Sequence, residues 1–223
     1  MRDRIQDLMK QLASGDAHVH AAAVRELLSG GAASVVALCG LFCDAHTALS
    51  HRAAETLKKL GQEAVEPLVR VLKTGDPESQ VYAIVGLQIL AEPSSLEPLL
   101  EALESSHVEV RKAAIRGLWM LRDQKAVEPL IGHLKEEDIE VAASVAGTLG
   151  WIRDRRAIGP LLLALESRHW RLRQAAAYAL GSIGDEQTLE AIRRHLYDPK
   201  PQVRKAAKGA LSQFHLRKVR PPE

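Results

Sequence analysis

Apolar residues fall along this chain in a long-range rhythm. Leucine recurs at 41, 72, 103, 134, 165 and 196, and a second series runs through 27, 57, 87, 118, 149, 180 and 211. Around each leucine the apolar positions return every three or four residues, the spacing of one helix face. Polar breaks separate the two series: "KTGDPES", "ESSH", "KEED", "ESRH" and "YDPKP". The pattern predicts pairs of short helices, a first helix holding one leucine and a second holding the other.

The phrase "AVEPL" at 64–68 and again at 126–130, with its echoes "SLEPL" at 95–99 and "AIGPL" at 157–161, sets the period. Its prolines, Pro67, Pro98, Pro129 and Pro160, stand 31 residues apart, and the same step reaches Ala191 forwards and Val36 and Ile5 backwards. A fixed period of this length marks stacked supersecondary units, none of which buries its apolar face alone. Proline suits the first turn of a helix, where the missing N–H has no partner to lose. Second helices are expected to start at Val19, Leu49, Ser79, Val110, Val141, Leu172 and Val203. Seven units result, approximately 3–31, 32–62, 63–93, 94–124, 125–155, 156–186 and 187–216, followed by a basic tail, 217–223, so that residues 1–223 are read as a single domain.

The outer units carry polar residues where inner ones are apolar: Gln6 and Lys10 at one end, Lys208 at the other. Terminal repeats need a polar outer face, so these are expected to be caps of a complete stack.

The stretches "AVEPLIGHLKEEDIEV" (126–141) and "LRQAAAYALGSIGDE" (172–186) resemble the HEAT-repeat family, in particular the HEAT-like repeats of the phycobilisome-lyase type. The resemblance covers almost the whole chain. It implies an all-α fold, a right-handed α-solenoid (an α-α superhelix), and a concave surface lined by the second helices that carries binding. It also leaves a phycobilin lyase-like or chaperone-like subunit as an alternative role, in which the same groove would take a tetrapyrrole. A di-iron hydroxylase of this repeat class uses His-Glu dipeptides as ligands, and this chain contains none.

Counting along each second helix, positions 0, 4, 7, 8 and 11 share the packed face, and positions 2, 3, 6 and 10 share another. In the middle units the second face holds Tyr82, Val85, Ile89, Lys112, Arg116, Met120, Trp151 and Tyr178. Apolar and aromatic residues with Met and Arg among charged neighbours are the composition of a protein-binding hot spot. The competing reading is that tight curvature packs these side chains between neighbouring helices.

Composition narrows the function classes. Hydrophobic residues are 46% but aromatics only 4%, and the formal charge is +2 with a pI of about 8.6. The face that a nucleic acid would use is interrupted by Glu55 and an apolar middle, whereas DNA binding calls for continuous positive charge. No apolar run approaches the roughly 20 residues of a membrane span. The start, "MRDRIQDLMK", is not a secretory signal, so a cytoplasmic location is expected.

Chemistry-bearing residues are few. Cys39 and Cys43 sit one turn apart with His46 beyond, a spacing that matches no zinc signature, so no metal or cofactor is assigned. Arg111, Arg173 and Arg204 open the second helices, and Asp76, Asp138 and Asp198 lie in the turns. Their recurrence points to scaffolding, with each Arg bonding a turn carboxylate or carbonyl of a neighbouring unit, as in similar repeats. His133 and His195 are expected to be packed, Trp170 to lie in a turn, and Trp119 to replace a Gly that the family prefers. No phosphate loop, nucleophile–base pair or inward carboxylate pair is visible. The expected function is therefore a monomeric, non-enzymatic adaptor that holds a partner protein or peptide in its groove.

Overall fold

The computed structural model describes residues 2–12, 16–43 and 48–219. It contains fourteen α-helices: α1 (Arg2–Leu12), α2 (Ala17–Ser29), α3 (Gly31–Cys43), α4 (Ala48–Leu60), α5 (Val65–Thr74), α6 (Pro77–Leu90), α7 (Leu96–Leu103), α8 (Val108–Leu121), α9 (Val127–Gly132), α10 (Ile139–Ile152), α11 (Ile158–Leu165), α12 (Trp170–Ile183), α13 (Leu189–Arg194) and α14 (Pro201–Val219). No strand is present among the described residues. The helices form the seven expected hairpins, and each unit is an α-solenoid segment.

The hairpins group into two compact units, Met1–Leu121 and Arg122–Glu223. In the first, the pairs α1/α2, α3/α4, α5/α6 and α7/α8 each pack on the next. In the second, α9, α11 and α13 are the first helices, while α10, α12 and α14 lie side by side. Leucines of both series form the cores. Leu27, Leu87, Leu118, Leu149 and Leu180 are fully buried, as are Leu103 and Leu165. Lys10 and Lys208 are exposed.

The second helices begin about two residues before the expected positions, at Pro77 rather than Ser79 and at Ile139 rather than Val141. Capping explains the shift. Asp76 accepts from the Ser79 amide at 3.0 Å, with Pro77 in the first turn. Asp138 accepts from the Glu140 and Val141 amides at 2.9 and 3.2 Å. These bonds satisfy amides that a helix start leaves without partners, and they hold the Asp76 carboxyl below its ordinary pKa, through the Ser79 amide first and its hydroxyl second. Trp170 is likewise the first residue of α12 rather than part of a turn, with the Arg171 guanidinium 4.9 Å from its ring centre.

Successive hairpins are joined by a recurring device. Ala91, Arg122, Arg153 and Gly184 follow the second helices, one per repeat, and all adopt the left-handed conformation, with φ of 52°, 53°, 61° and 76°. Each of the next three repeats then opens on an aspartate: Asp123, Asp154 and Asp185 accept from the amides of Lys125, Arg156 and Gln187 and start a 3-10 turn. The prolines come third in the α-helices that follow, after this turn. Glycine takes the left-handed conformation freely and other residues do so at a cost. Arg153→Gly is therefore expected to stabilise the protein by about 1 kcal/mol, read as a higher denaturant midpoint at unchanged slope.

The arginines that open the second helices brace the hairpins from within. Arg111 donates to the Ser105 carbonyl at 2.8 Å, and Arg204 to the Asp198 and Pro199 carbonyls at 2.8 and 3.1 Å, all in the turn of their own repeat. Arg173 combines both expected roles, bonding its own turn and the Asp198 carboxylate of the next repeat. The expectation of a neighbouring partner is thus corrected for Arg204, whose side chain is spent on the carbonyls of its own turn.

Candidate functional site

The faces left open by the second helices follow from helical phase. In the first unit, α6 carries Tyr82, Val85 and Ile89, and the adjoining α8 carries Lys112, Arg116 and Met120. Met120 is 48% exposed and Arg116 is exposed, whereas Tyr82, Val85, Ile89 and Lys112 are half-buried. The Tyr82 hydroxyl donates to Glu78 Oε1 at 2.6 Å, and Lys112 pairs with Glu109 at 3.2 Å, each across one helical turn. These contacts hold the side chains along their own helices and leave Met120 and Arg116 outward.

In the second unit, Trp151 on α10 and Tyr178 on α12 are each 38% exposed. Tyr178 stands at the register where α10 has Gly147 and α14 has Gly209. A Cβ on Gly147 would meet nothing within 4 Å, and one on Gly209 would lie 3.6 Å from the Tyr178 ring. The tyrosine thus rises between two residues without side chains, which leaves its ring accessible along the helix rows. The Arg122 guanidinium lies 4.2 Å from the centre of the Trp151 ring. Such a cation–π contact fixes the indole plane before any partner arrives. Sequence reading missed Arg122, whose aim depends on the left-handed backbone; the only signal was its register with Gly184. The same strain relief expected at Arg153 should therefore be smaller for Arg122→Gly, which also loses this stack.

Chemistry is sparse elsewhere. Among the described residues no three His, Cys, Asp or Glu side chains come together to hold a metal. Cys39 is buried, while the Cys43 side chain and His46 lie outside the described residues. His195 is buried with Nδ1 2.9 Å from the Ala191 carbonyl, and half-buried His133 meets Glu136 at 3.2 Å. Trp119 is half-buried. No helix among the described residues is long and apolar enough to cross a membrane.

The displaced titrations of Asp154 and Arg156 belong to a brace between repeats. Arg156 donates to both carboxylate oxygens of Asp154 at 3.0 and 2.8 Å and to the Gln124 carbonyl at 3.0 Å. Its hydrogen bonds lower the Asp154 pKa, and that carboxylate raises the arginine's. Two large apolar side chains were not anticipated on the first-helix side: Leu163 of α11, 74% exposed, and Tyr197, 88% exposed. For Leu163 the signal was partial: the same register holds Arg70, Glu101, Gly132 and Arg194, but also the buried Leu8 and Cys39.

Solved structures of like fold are themselves helical repeat proteins. An engineered protein superimposes with a TM-score of 0.61 at 23% identity, over 96% of this chain and 97% of that one. A second engineered protein gives 0.59 at 21% identity, over 94% and 98%. A designed armadillo repeat protein in complex with peptide (KR)4 gives 0.58 at 20% identity, over 94% and 99%. No curated protein matches the sequence at a significant level. The family model of HEAT repeats matches residues 96–167 and 158–222, more than half of the sequence. The chain belongs to the HEAT-repeat family.

Proposed function

We propose that the chain is a non-enzymatic adaptor that binds a partner protein or peptide through the open face of its second helices. The observation that carries this reading is the exposure of Met120, Trp151 and Tyr178, three large apolar side chains at face positions of consecutive repeats. Water-exposed apolar groups of this size are where association recovers free energy. Trp and Tyr supply it with little loss of side-chain freedom, and the Arg122 stack has already removed part of that loss at Trp151. Tyr82, Val85 and Ile89 would supply the less accessible part of the contact, and Lys112 and Arg116 would orient acidic groups.

The designed armadillo repeat protein noted above is in complex with the basic peptide (KR)4. The exposed charge beside Met120 here is the cation Arg116, so the expected partner segment is apolar and acidic. Such charges act mainly on encounter rate and register, while the aromatic anchors supply affinity.

The test is affinity capture with the full chain, followed by titration of the captured protein against variants. Trp151→Ala is expected to weaken binding by about 2 kcal/mol, roughly thirty-fold, with the thermal midpoint little changed. A stability loss with intact binding would assign Trp151 to the core and refute the face assignment. Arg116→Glu should slow association with an acidic partner while leaving dissociation nearly unchanged.

A further inference from the structure

We infer that the cleft between α9 and α11, on the first-helix side of the second unit, is a binding site for an aliphatic carboxylate. The fold supplies its own comparison. One cleft, of about 300 Å³, lies between α5 and α7 in the first unit, and another, of about 400 Å³, lies between α9 and α11 at the register two repeats on. Leu72, Lys73, Glu101, Ser105 and Val110 of the first correspond to Leu134, Lys135, Leu163, Ser167 and Leu172 of the second.

The difference lies at the rim. In the first cleft Lys73 and Glu101 form an ion pair at 3.4 Å across the opening. In the second, leucine replaces that glutamate, so Lys135 is exposed and has no carboxylate of a described residue against it. A polar bridge has become an apolar wall beside an unpaired ammonium.

The rest of the cleft suits one ligand chemistry. Leu134 and Leu172 are nearly buried and form its floor, Ile131 is half-buried, and Leu163 stands 74% exposed. Ser167 Oγ accepts from the His169 amide at 3.2 Å, which leaves its own O–H to donate outward. Apolar walls with few convergent polar groups, in a volume of this size, are the features of a small-molecule site. The single positive charge and the single hydroxyl donor call for a carboxylate head, and the leucines call for an aliphatic tail. Association removes Leu163 from water and returns to Lys135 the counter-charge that the other cleft has built in.

Decanoate is the probe, titrated into the 15N-labelled full chain and followed by amide shifts. Saturable shifts confined to α9 and the turn after it (to Lys135), α11 and the turn after it, and the start of α12 are expected at sub-millimolar to millimolar concentrations. Decanol, lacking the charge, should bind at least about tenfold more weakly, in line with the worth of a charge-assisted bond. Lys135→Met should do the same for decanoate, and Leu163→Glu, which rebuilds the bridge of the other cleft, should abolish binding. Leu163 is too exposed for that change to unfold the protein, and the unchanged spectrum of the free variant verifies this. Absence of saturable binding, or binding that survives both substitutions, overturns the inference. The reading of the second-helix face is independent of this outcome, because Trp151→Ala should leave decanoate binding intact.

Discussion

Gly150→Ala is expected to destabilise the protein by about 3 kcal/mol, while Gly147→Ala, one turn earlier on the same helix, stabilises it by about 0.5–1 kcal/mol. A Cβ on Gly150 would stand 2.5 Å from the Cα of Ala179 on α12 and 2.8 Å from its Cβ. The nearest atom is backbone, so relief requires α10 and α12 to move apart. That movement would open the core around Val145, Leu149, Ala176 and Leu180, all of which are fully buried. The companion change Ala179→Gly removes one of the two clashing carbons and leaves the nearer one, so rescue should be partial at best. Gly181 repeats the arrangement one repeat later, where a Cβ would meet Ala210 at 2.5 Å from its Cβ and 2.6 Å from its Cα. Gly147 faces open space, so alanine there gains helix propensity alone. Chemical denaturation of the two single variants checks the sign difference; equal effects would show that the helix crossing is looser than these distances require.

That contrast marks the limit of what the sequence disclosed. The 31-residue step placed the prolines, the first leucine series and, with two steps of 30, the second, and so seven hairpins, because stacking demands the same side chain at the same register in every inner repeat. Helical phase also brought Met120, Trp151 and Tyr178 to exposed positions. Phase alone did not say that Gly147 is open and Gly150 is a crossing point, since both are glycines on one helix and only the neighbouring helix separates them. Nor does the identity of Ala91, Arg122 or Arg153 call for a left-handed backbone; the next hairpin imposes it, and with it the placing of Arg122 over Trp151. Tyr82, Val85 and Ile89 are less open than a face count implies, because α8 lies against α6 and covers part of them. The exposure of Leu163 was only partly legible, because its register holds Arg70, Glu101, Gly132 and Arg194 but also the buried Leu8 and Cys39.

Arg173→Met is expected to cost about 3 kcal/mol, and the loss should depend on pH in a way that Arg204→Met does not. Arg173 donates through Nε to Asp198 Oδ2 at 2.7 Å and through a terminal nitrogen to Oδ1 at 2.9 Å, a bidentate pair. Its other terminal nitrogen reaches the Ser167 and Arg168 carbonyls at 2.8 and 3.2 Å, so one guanidinium joins two repeats. The Asp198 carboxylate is only 4% exposed, and without the arginine it keeps the Lys200 amide at 2.8 Å. Removing the arginine therefore leaves a buried charge underpaired, and lysine cannot restore a planar fork. Arg204 bonds carbonyls alone and is exposed, so its loss should cost about 1 kcal/mol. The hydrogen bonds from Arg173 hold the Asp198 pKa below the usual carboxylate range. The folded state then binds this proton less readily than the unfolded chain, so the contribution is complete above the ordinary carboxylate pKa. It is lost as pH falls below about 4 toward the depressed folded value. The stability gap between the parent and Asp198→Asn should accordingly be widest near neutrality and shrink at pH 3. A gap of constant size across that range would mean that the pair contributes through packing rather than through charge.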